Sequence, residues 1–363
     1  MKILMVNTIE FNRNGMSAMI MNYYQKFNHD EVKVDFLVNK RMDDGFKEII
    51  RENGDNIFIF KNRNKHPLSY MKYLKLIAQK NNYDIVYVHG NSATMAAEEF
   101  SLRNVDTKII VHAHGETTDH PLLNRVLHPY FKKHYTAAFA ASEAAGNFLF
   151  NNKSFKVIRN GIDGKSFAFN EASRKLLRKK LNLEDSNVVL QVGAFTKQKN
   201  HIFTIAMIKK LVENKPNTKL LLAGDGPLKK EIEILVSNLK LNNNVIFLGE
   251  VSNLLELYSA SDYLIFPSSW EPFGIVALEG QMSGLPVFVS NVFSKSVAVT
   301  ENITYIPLIV NEWVDVISNS KLRGHLPTQN LLLSLQNTGY DIQDNANYLI
   351  RLFREIIKEK NEG

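Results

Sequence analysis

Short apolar runs alternate with amphipathic stretches along most of the chain. Each run is four or five residues long, which suits a strand that is covered on both faces better than a helix. The runs are residues 3–6, 34–38, 57–60, 85–89, 109–112 and 137–141 in the first half, and 188–192, 220–223, 245–248, 263–266 and 287–290 in the second. Amphipathic stretches such as 202–212 and 228–239 lie between them. The alternation predicts the α/β class, with parallel sheets that carry helices on both faces.

The alternation pauses once and then starts again near Asn187. The stretch 164–186 before it is basic and poor in strand-forming residues, so we interpret it as a domain junction. We therefore expect two doubly wound, Rossmann-like domains that face each other across a cleft. They are an N-terminal domain over 1–165 and a C-terminal domain over 166–345. A final amphipathic helix at 346–363 could pack back on the N-terminal domain.

The composition is that of a soluble globular protein. The 363 residues are 45% hydrophobic and 22% charged. The sequence has no cysteine, which excludes disulfides, thiolate metal sites and thiol nucleophiles. It has no apolar run of 18 residues, and its apolar N-terminus is too short for a signal peptide. We expect a cytoplasmic protein, with the inner face of the membrane as a second location to consider.

The positive charge is concentrated in the first half. Residues 1–165 contain 23 basic and 17 acidic residues, a net charge of +6 out of +7 for the chain. Basic clusters occur at 61–80, 132–133 and 174–180. Such faces can bind an anionic membrane surface or a phosphorylated acceptor, or they can simply be solvated. Nucleic acid is not expected as a partner, because the charge is dispersed and no binding motif accompanies it.

The loops that follow the predicted strands are where chemistry is expected. In open parallel sheets, ligands bind beyond the carboxyl ends of the strands. Turn residues and reactive side chains follow the runs at 12–17, 114–116, 193–201, 224–227 and 267–274.

Two glutamates flank a predicted helix start in the last of these loops. Pro272 suits a first helical turn, so the pattern predicts a helix over 273–282. Glu271 and Glu279 are eight residues apart, about 12 Å along a helix axis at ~1.5 Å per residue. A glycosidase pair needs carboxyl groups roughly 5 to 9.5 Å apart, so this pair fits that chemistry poorly.

A different use of the two carboxylates fits the spacing better. They could accept hydrogen bonds from separate hydroxyl groups of an extended ligand. The free N–H groups of Phe273, Gly274 and Ile275 could bind an anion between them. The alternative is an acid that stabilises the helix start, Glu271, together with an exposed Glu279.

The same segment resembles a known family. Residues 271–279 read Glu-Pro-Phe-Gly-Ile-Val-Ala-Leu-Glu, which is similar to the E-x7-E segment of retaining nucleotide-sugar glycosyltransferases. The resemblance is to the large glycosyltransferase family 4, group 1, whose members have the GT-B fold. The segments 159–163, 193–199, 224–227 and 284–287 match the same family pattern.

The resemblance implies roles for individual residues. Glu271 would bind the donor sugar, Glu279 the nucleotide ribose and Lys199 the diphosphate. Ala194 stands where the family usually has an arginine, and Lys197 could take that role or face solvent. The remaining donor-binding candidates are Gly15, Gly193, Gly224, Phe273, Gly274 and Ile275, with Gly249 and Val251 in the loop expected to contact the base.

A histidine in the N-terminal half completes the catalytic candidates, which are His114, Glu271 and Lys199. The resemblance puts His114 close to the reacting sugar, and Gly115 follows it as in the family. His112 lies in the apolar run and is expected to be a packed core residue. His89 ends another strand and could contact the acceptor.

The activity that the resemblance implies is retaining transfer of a sugar. The donor would be a nucleotide-diphosphate sugar and the acceptor a hydroxyl of a glycan or lipid-linked molecule, in cell-surface polysaccharide synthesis. The sequence has no Asp-x-Asp motif, and we expect neither a catalytic metal nor a cofactor besides the donor. Two alternatives stay open: a sugar-nucleotide epimerase of GT-B architecture, and an inactive nucleotide-sugar-binding protein.

Overall fold

The chain divides into two compact units, each with its own sheet. The computed structural model describes residues 1–12, 14–151, 153–251, 253–271, 274–320 and 328–359. Unit 1 comprises Met1–Gly161 and Ile342–Gly363, and unit 2 comprises Ile162–Asp341.

Unit 1 contains a seven-stranded parallel sheet in the order β3-β2-β1-β4-β5-β6-β7. The strands are β1 (Lys2–Asn7), β2 (Lys33–Asn39), β3 (Ile57–Phe60), β4 (Ile85–Gly90), β5 (Lys108–Ala113), β6 (Ala137–Ala140) and β7 (Lys156–Val157). The helices are α1 (Gly15–Tyr24), α2 (Asp44–Glu52), α3 (Pro67–Asn81), α4 (Ala96–Leu102), α5 (Pro121–His134), α6 (Glu143–Phe150) and, at the end of the chain, α14 (Ile342–Lys358).

The sheet of unit 1 is buried on both faces, which explains its continuous apolar runs. Ile3 and Met5 of β1 pack in one core with α1, α2 and α14. Leu4 and Val6 of the same strand pack in the other core, with α3 to α6. Side chains alternate between the faces of a strand, so only an uninterrupted apolar run can supply both cores.

Unit 2 repeats this plan with a six-stranded parallel sheet in the order β10-β9-β8-β11-β12-β13. The strands are β8 (Asn187–Val192), β9 (Thr218–Ala223), β10 (Val245–Gly249), β11 (Tyr263–Phe266), β12 (Val287–Ser290) and β13 (Ile303–Ile306). The helices are α7 (Glu171–Lys180), α8 (His201–Asn214), α9 (Lys229–Asn238), α10 (Leu254–Ala260), α11 (Ile275–Met282), α12 (Val310–Asn319) and α13 (Thr328–Asn337).

Both sheets are doubly wound, as the alternation predicts. In unit 1 the strand order reverses at β1, which lies between β2 and β4. In unit 2 it reverses at β8, which lies between β9 and β11. The chain leaves two neighbouring strands in opposite directions at such a point, and this opens a crevice at the carboxyl edge of the sheet.

Two strands carry no clear signal in the sequence. β7 has only two residues, which is too short to form an apolar run. β13 lies at the edge of its sheet and reads Ile-Thr-Tyr-Ile, with Thr304 exposed. Thr304 interrupts the apolar run, although Ile303 and Tyr305 pack against one core of unit 2 and Ile306 packs against the other.

Three arginines of the basic clusters serve the fold and are not free surface charges. Arg63 is buried and donates two hydrogen bonds to Glu98, at 2.6 and 2.8 Å. Arg174 and Arg178 both pair with Asp262, at 2.6 and 3.2 Å. The lysines of the clusters are exposed or half-buried. Within the described residues, no helix has the length and apolarity needed to cross a bilayer.

Candidate active site

An ion pair joins the two loops that diverge at the reversal point of unit 2. Lys199 lies in the loop between β8 and α8, and Glu271 lies in the loop after β11. The Lys199 ammonium pairs with Oε2 of Glu271, and the two side chains are only 20% and 9% exposed. Ser268 Oγ donates a hydrogen bond to the same carboxylate oxygen at 3.4 Å. A charged, largely buried pair therefore lies where a doubly wound sheet is expected to bind its ligand.

Hydrogen bonds fix the backbone beneath this pair. Gln191, a buried residue of β8, donates from Nε2 to the Lys199 carbonyl at 2.8 Å. Its Oε1 accepts from Thr204 Oγ1 at 2.6 Å, which holds the amide in place. The backbone N–H of Ser269 donates to the Gln198 carbonyl at 2.9 Å and links the two loops directly. Lys199 and Glu271 are thus positioned by their supports as well as by their mutual attraction.

The helix that follows Glu271 begins at Ile275, two residues later than expected. Its N-cap is Gly274, whose φ of +83° is incompatible with an α-helical residue. A Cβ at this position would lie 2.4 Å from the ring of Phe293, so only glycine fits. The expectation of a helix from residue 273 is wrong for this reason. Phe273 itself lies outside the described residues, and its role in donor binding stays a prediction.

The N-terminus of α11 presents backbone donors beside Glu271. Glycine has no side chain, so Gly274 cannot itself satisfy the first N–H groups of the helix. Those groups, including that of Ile275, carry the positive end of the helix dipole. Together with the Lys199 ammonium they form a positive region suited to a phosphate or diphosphate.

Glu279 lies about one turn into α11 and is largely buried. Its Oε2 accepts a hydrogen bond from the hydroxyl of Tyr258, on α10, at 2.6 Å. Burial raises the pKa of Glu279 to about 7, and the hydrogen bond from Tyr258 acts in the opposite direction. The alternative of an exposed Glu279 is therefore wrong.

Glycine-lined turns lie along the same edge of the sheet. Gly193 follows β8, Gly224 follows β9 and Gly249 ends β10. A Cβ on Gly224 would lie 2.2 Å from the Gly193 carbonyl oxygen, so the first two turns approach too closely for any side chain. The N–H of Gly224 donates to the Gly249 carbonyl at 2.7 Å and brings the third turn alongside. Val251 follows this turn and packs, half-buried, against the core of unit 2.

The loop after β8 presents two exposed residues, Ala194 and Lys197. Between them the buried ring of Phe195 stacks on His201, with centroids 4.1 Å apart. Burial, followed by the charge of Lys199, lowers the pKa of His201 to about 4. His201 is therefore neutral near neutral pH and supports the loop by packing.

The corresponding edge of unit 1 carries His114, directly after β5. Its backbone N–H donates to Asn91 Oδ1 at 3.1 Å, and its Nε2 lies 2.9 Å from His89 Nδ1. The ring stacks on that of His112, with centroids 4.2 Å apart. Burial lowers the pKa of His114 to about 3, so the imidazole is neutral near neutral pH. The expectation that His112 is a buried core residue is confirmed.

Gly15 is the first residue of α1, at the carboxyl end of β1. The helix is capped by Asn14, whose side chain accepts from the Ser17 N–H at 3.0 Å. The position that a Cβ of Gly15 would occupy is open, with no atom of the described residues within 4 Å. The backbone is therefore accessible there, as the sequence interpretation requires.

The structure thus gathers most of the predicted donor-binding residues at one edge of unit 2. These are Gly193, Lys199, Gly224, Glu271, Gly274, Ile275 and Glu279. Gly15 and His114 belong to unit 1. The sequence interpretation missed the supporting residues Gln191, Tyr258 and Ser268. Gln191 does leave a signal, since it is a polar residue inside an apolar run.

Two sequence profiles match the chain, one in each half. The profile "Glycosyltransferase Family 4" matches residues 13–165, and "Glycosyl transferases group 1" matches residues 173–313. The chain belongs to the group 1 glycosyltransferases of family 4. Among its relatives is the putative glycosyltransferase EpsF of Bacillus subtilis, which is 28% identical over 97% of this chain and 96% of the relative. An Escherichia coli relative is named UDP-Gal:alpha-D-GlcNAc-diphosphoundecaprenol alpha-1,3-galactosyltransferase; it is 27% identical over 74% of this chain and 72% of its own.

Solved structures show that this glycosyltransferase has the GT-B fold, as expected. Anabaena Alr3699/HepE, in complex with UDP and glucose, superposes with a TM-score of 0.78 at 19% identity, over 98% of this chain and 100% of the other. Sucrose-phosphate synthase from Thermosynechococcus elongatus superposes with a TM-score of 0.76 at 17% identity, over 99% and 100% of the two chains. At these identities the likeness establishes the fold alone.

The raised pKa of Glu279 predicts a pH-dependent stability. Between its ordinary value of 4.5 and its folded value of about 7, the folded protein binds more protons than the unfolded chain. The stabilisation is therefore complete below about pH 4.5 and is lost as the pH rises through 7, by about 3 kcal/mol at most. Glu279→Gln keeps an acceptor for Tyr258 without the buried charge. Relative to the wild type, Glu279→Gln should therefore have a higher Tm at pH 8 than it does at pH 5.

Thermal unfolding of the ligand-free proteins measures this difference. Glu213→Gln, an exposed change on α8, is the matched control and should show the same Tm difference at both pH values. A Tm difference for Glu279→Gln that does not change with pH would contradict the buried, titrating carboxyl.

Proposed function

We propose that this enzyme transfers a sugar from a nucleotide-diphosphate sugar to a hydroxyl of a glycan or lipid-linked acceptor, with retention of the anomeric configuration. The observation that carries the proposal is the Lys199–Glu271 pair beside the N-terminus of α11, at the reversal point of the sheet. It combines a cation, free backbone donors and a carboxylate in one place. A diphosphate needs the first two, and a sugar hydroxyl needs the third.

The positive groups match the charge that develops during transfer. As the glycosidic bond breaks, negative charge grows on the departing diphosphate. Lys199 and the N–H groups at the start of α11 would bind that charge without reorganisation, because both are held in place. The expectation that the reaction needs no metal and no further cofactor stays a prediction.

The two carboxylates are suited to binding hydroxyl groups and not to acting as an acid–base pair. Glu271 is paired with the ammonium group of Lys199. Glu279 already accepts from Tyr258 and could also accept from a ribose hydroxyl. We propose front-side attack, in which the leaving phosphate oxygen accepts the proton of the acceptor hydroxyl. No nucleophile from the enzyme is then required, and His114 would orient the substrate as a neutral imidazole.

The relatives support the choice of donor and acceptor. The Anabaena neighbour is in complex with UDP and glucose. The Escherichia coli relative is named for a UDP-linked sugar and a diphosphoundecaprenol acceptor. We therefore favour a nucleotide-diphosphate sugar and a lipid-linked glycan, in cell-surface polysaccharide synthesis.

A panel of nucleotide sugars in a thermal-shift assay tests donor binding. A donor at 100 times its Kd should stabilise the folded enzyme by about 2.7 kcal/mol. Lys199→Met should abolish most of the Tm increase, because the diphosphate loses its cation. Lys209→Met, an exposed change on α8, should keep it. If no nucleotide sugar raises the Tm of the wild type, the proposed donor class is wrong.

Transfer itself is tested by Glu271→Gln with the donor that the panel identifies. Loss of the carboxylate should lower kcat/KM by about 100- to 1000-fold while leaving the fold intact. Product analysis separates the two alternatives: an epimerase converts the donor without an acceptor, and an inactive binding protein produces neither transfer nor slow donor hydrolysis. Near-normal turnover by Glu271→Gln would contradict the assigned role.

We further propose that helices α3 and α5 contact an anionic membrane surface that carries the acceptor. Leu68 and Leu76 of α3, and Leu122 and Val126 of α5, are between 62% and 80% exposed. Lysines flank them at positions 65, 72, 75, 132 and 133. Exposed apolar side chains beside lysines are typical of helices that lie at a lipid interface.

Sedimentation with vesicles tests this surface. We expect salt-sensitive binding to vesicles that contain phosphatidylglycerol and much weaker binding to phosphatidylcholine alone. The double substitution Leu122→Ser and Val126→Ser should weaken binding several-fold, because it removes the inserted apolar groups. The control is Ile234→Ser, which removes an exposed apolar residue from unit 2. Equal binding to both kinds of vesicle, or no binding, would exclude the proposal.

A further inference from the structure

Three histidines gather on one face of the sheet of unit 1. The parallel register pairs His89 of β4 with His112 of β5. His114 lies two residues beyond His112, and alternate residues of an extended chain project to the same face. Each histidine offers a ring nitrogen, and these three nitrogens all lie within 4.8 Å of one another. The cluster therefore consists of a His-x-His pair at the carboxyl end of β5 and a third histidine from the neighbouring strand β4.

Two nitrogens of this cluster are buried and lack a partner. Neither Nε2 of His89 nor Nε2 of His112 has a hydrogen-bond partner among the described residues, and both side chains are almost fully buried. A buried polar atom without a partner is destabilising, so native proteins rarely keep one without a reason. Two such atoms in one cluster point to a ligand that binds both.

The other nitrogens of the same rings already have partners. Nδ1 of His112 lies 2.5 Å from the Tyr87 hydroxyl, and Nδ1 of His89 lies 2.9 Å from His114 Nε2. Histidines that bind a metal characteristically donate their second ring N–H to such a partner, which fixes the tautomer and the ring orientation. With the proton on Nδ1 of both rings, Nε2 of His89 and Nε2 of His112 would carry the lone pairs, and Nε2 of His114 would give up its contact with His89 when it binds an ion.

We propose that His89, His112 and His114 form a binding site for a divalent transition-metal ion of the Zn²⁺ class. Three neutral imidazoles are a well-known zinc ligand set, and they leave a fourth position open for water. Imidazole nitrogens also suit Co²⁺, Ni²⁺ and Cu²⁺, whereas Mg²⁺ and Ca²⁺ prefer oxygen ligands. The bound ion would occupy His114 and so compete with any contact that this residue makes to substrate. Metal binding itself does not depend on the proposed transferase activity.

Cobalt titration of the full chain, purified without an affinity tag and stripped with a chelator, tests the site. Co²⁺ bound by three histidines in a tetrahedral site absorbs visible light far more strongly than octahedral aqueous Co²⁺. We expect one strongly absorbing Co²⁺ per chain, displaced by Zn²⁺ and not by Mg²⁺. His89→Gln should weaken this binding by at least about 10-fold, and Tyr87→Phe should weaken it to a smaller extent by freeing the His112 ring.

A control and a second variant keep the result interpretable. His120→Gln changes an exposed histidine of unit 1 and should leave Co²⁺ binding unchanged. If circular dichroism shows that His89→Gln is unfolded, His114→Gln tests the less buried ligand in the same way. Absence of a strongly absorbing complex overturns the proposal, and so does equal Co²⁺ affinity of the wild type and a folded ligand variant.

Discussion

The ion pair between Lys199 and Glu271 depends on a constraint that parallel sheets impose. The carboxyl ends of β8 and β11 lie at the same edge, but the chain leaves them in opposite directions. Two loops from distant parts of the sequence are thereby brought together over a crevice. Glycine turns after β8 and β9 keep the neighbouring backbone close, and Gln191 anchors the lysine loop from inside the sheet. The topology therefore brings the two loops together, and the side chains of Lys199 and Glu271 form the ion pair there.

A largely buried ion pair is not primarily a stabilising device. Desolvation of two charges offsets much of their attraction, and loss of one partner leaves the other uncompensated. The effect of the Lys199–Glu271 pair is to hold the two side chains in fixed positions. The lysine is held beside the positive end of α11, and the carboxylate is held beside the lysine. A diphosphate linked to a sugar presents the complementary groups in the same order, an anion followed by hydroxyls. Under the proposed function, the pair would keep these groups aligned before the donor binds.

Much of the fold and part of the site could be predicted from the sequence. A continuous apolar run is typical of a strand that is buried on both faces, and each of the eleven predicted strands is confirmed. The edge strand β13 and the two-residue strand β7 have no such run and were not predicted. The E-x7-E segment led to Glu271 and Glu279, but spacing along a chain does not reveal a partner 72 residues away. The start of α11 was missed because Gly274 has a positive φ and the Phe293 ring lies where its Cβ would be, and neither feature is visible in the sequence. Likewise, the His89–His112–His114 cluster depends on strand register, which the sequence does not show.

The most direct test of the central claim is a crystal structure of the enzyme with a bound nucleotide-diphosphate sugar. We expect the diphosphate within hydrogen-bonding distance of Lys199 Nζ and of the first N–H groups of α11, the sugar hydroxyls on Glu271 and the ribose on Glu279. A nucleotide sugar bound away from the carboxyl edge of unit 2, with the Lys199–Glu271 pair untouched, would contradict the claim.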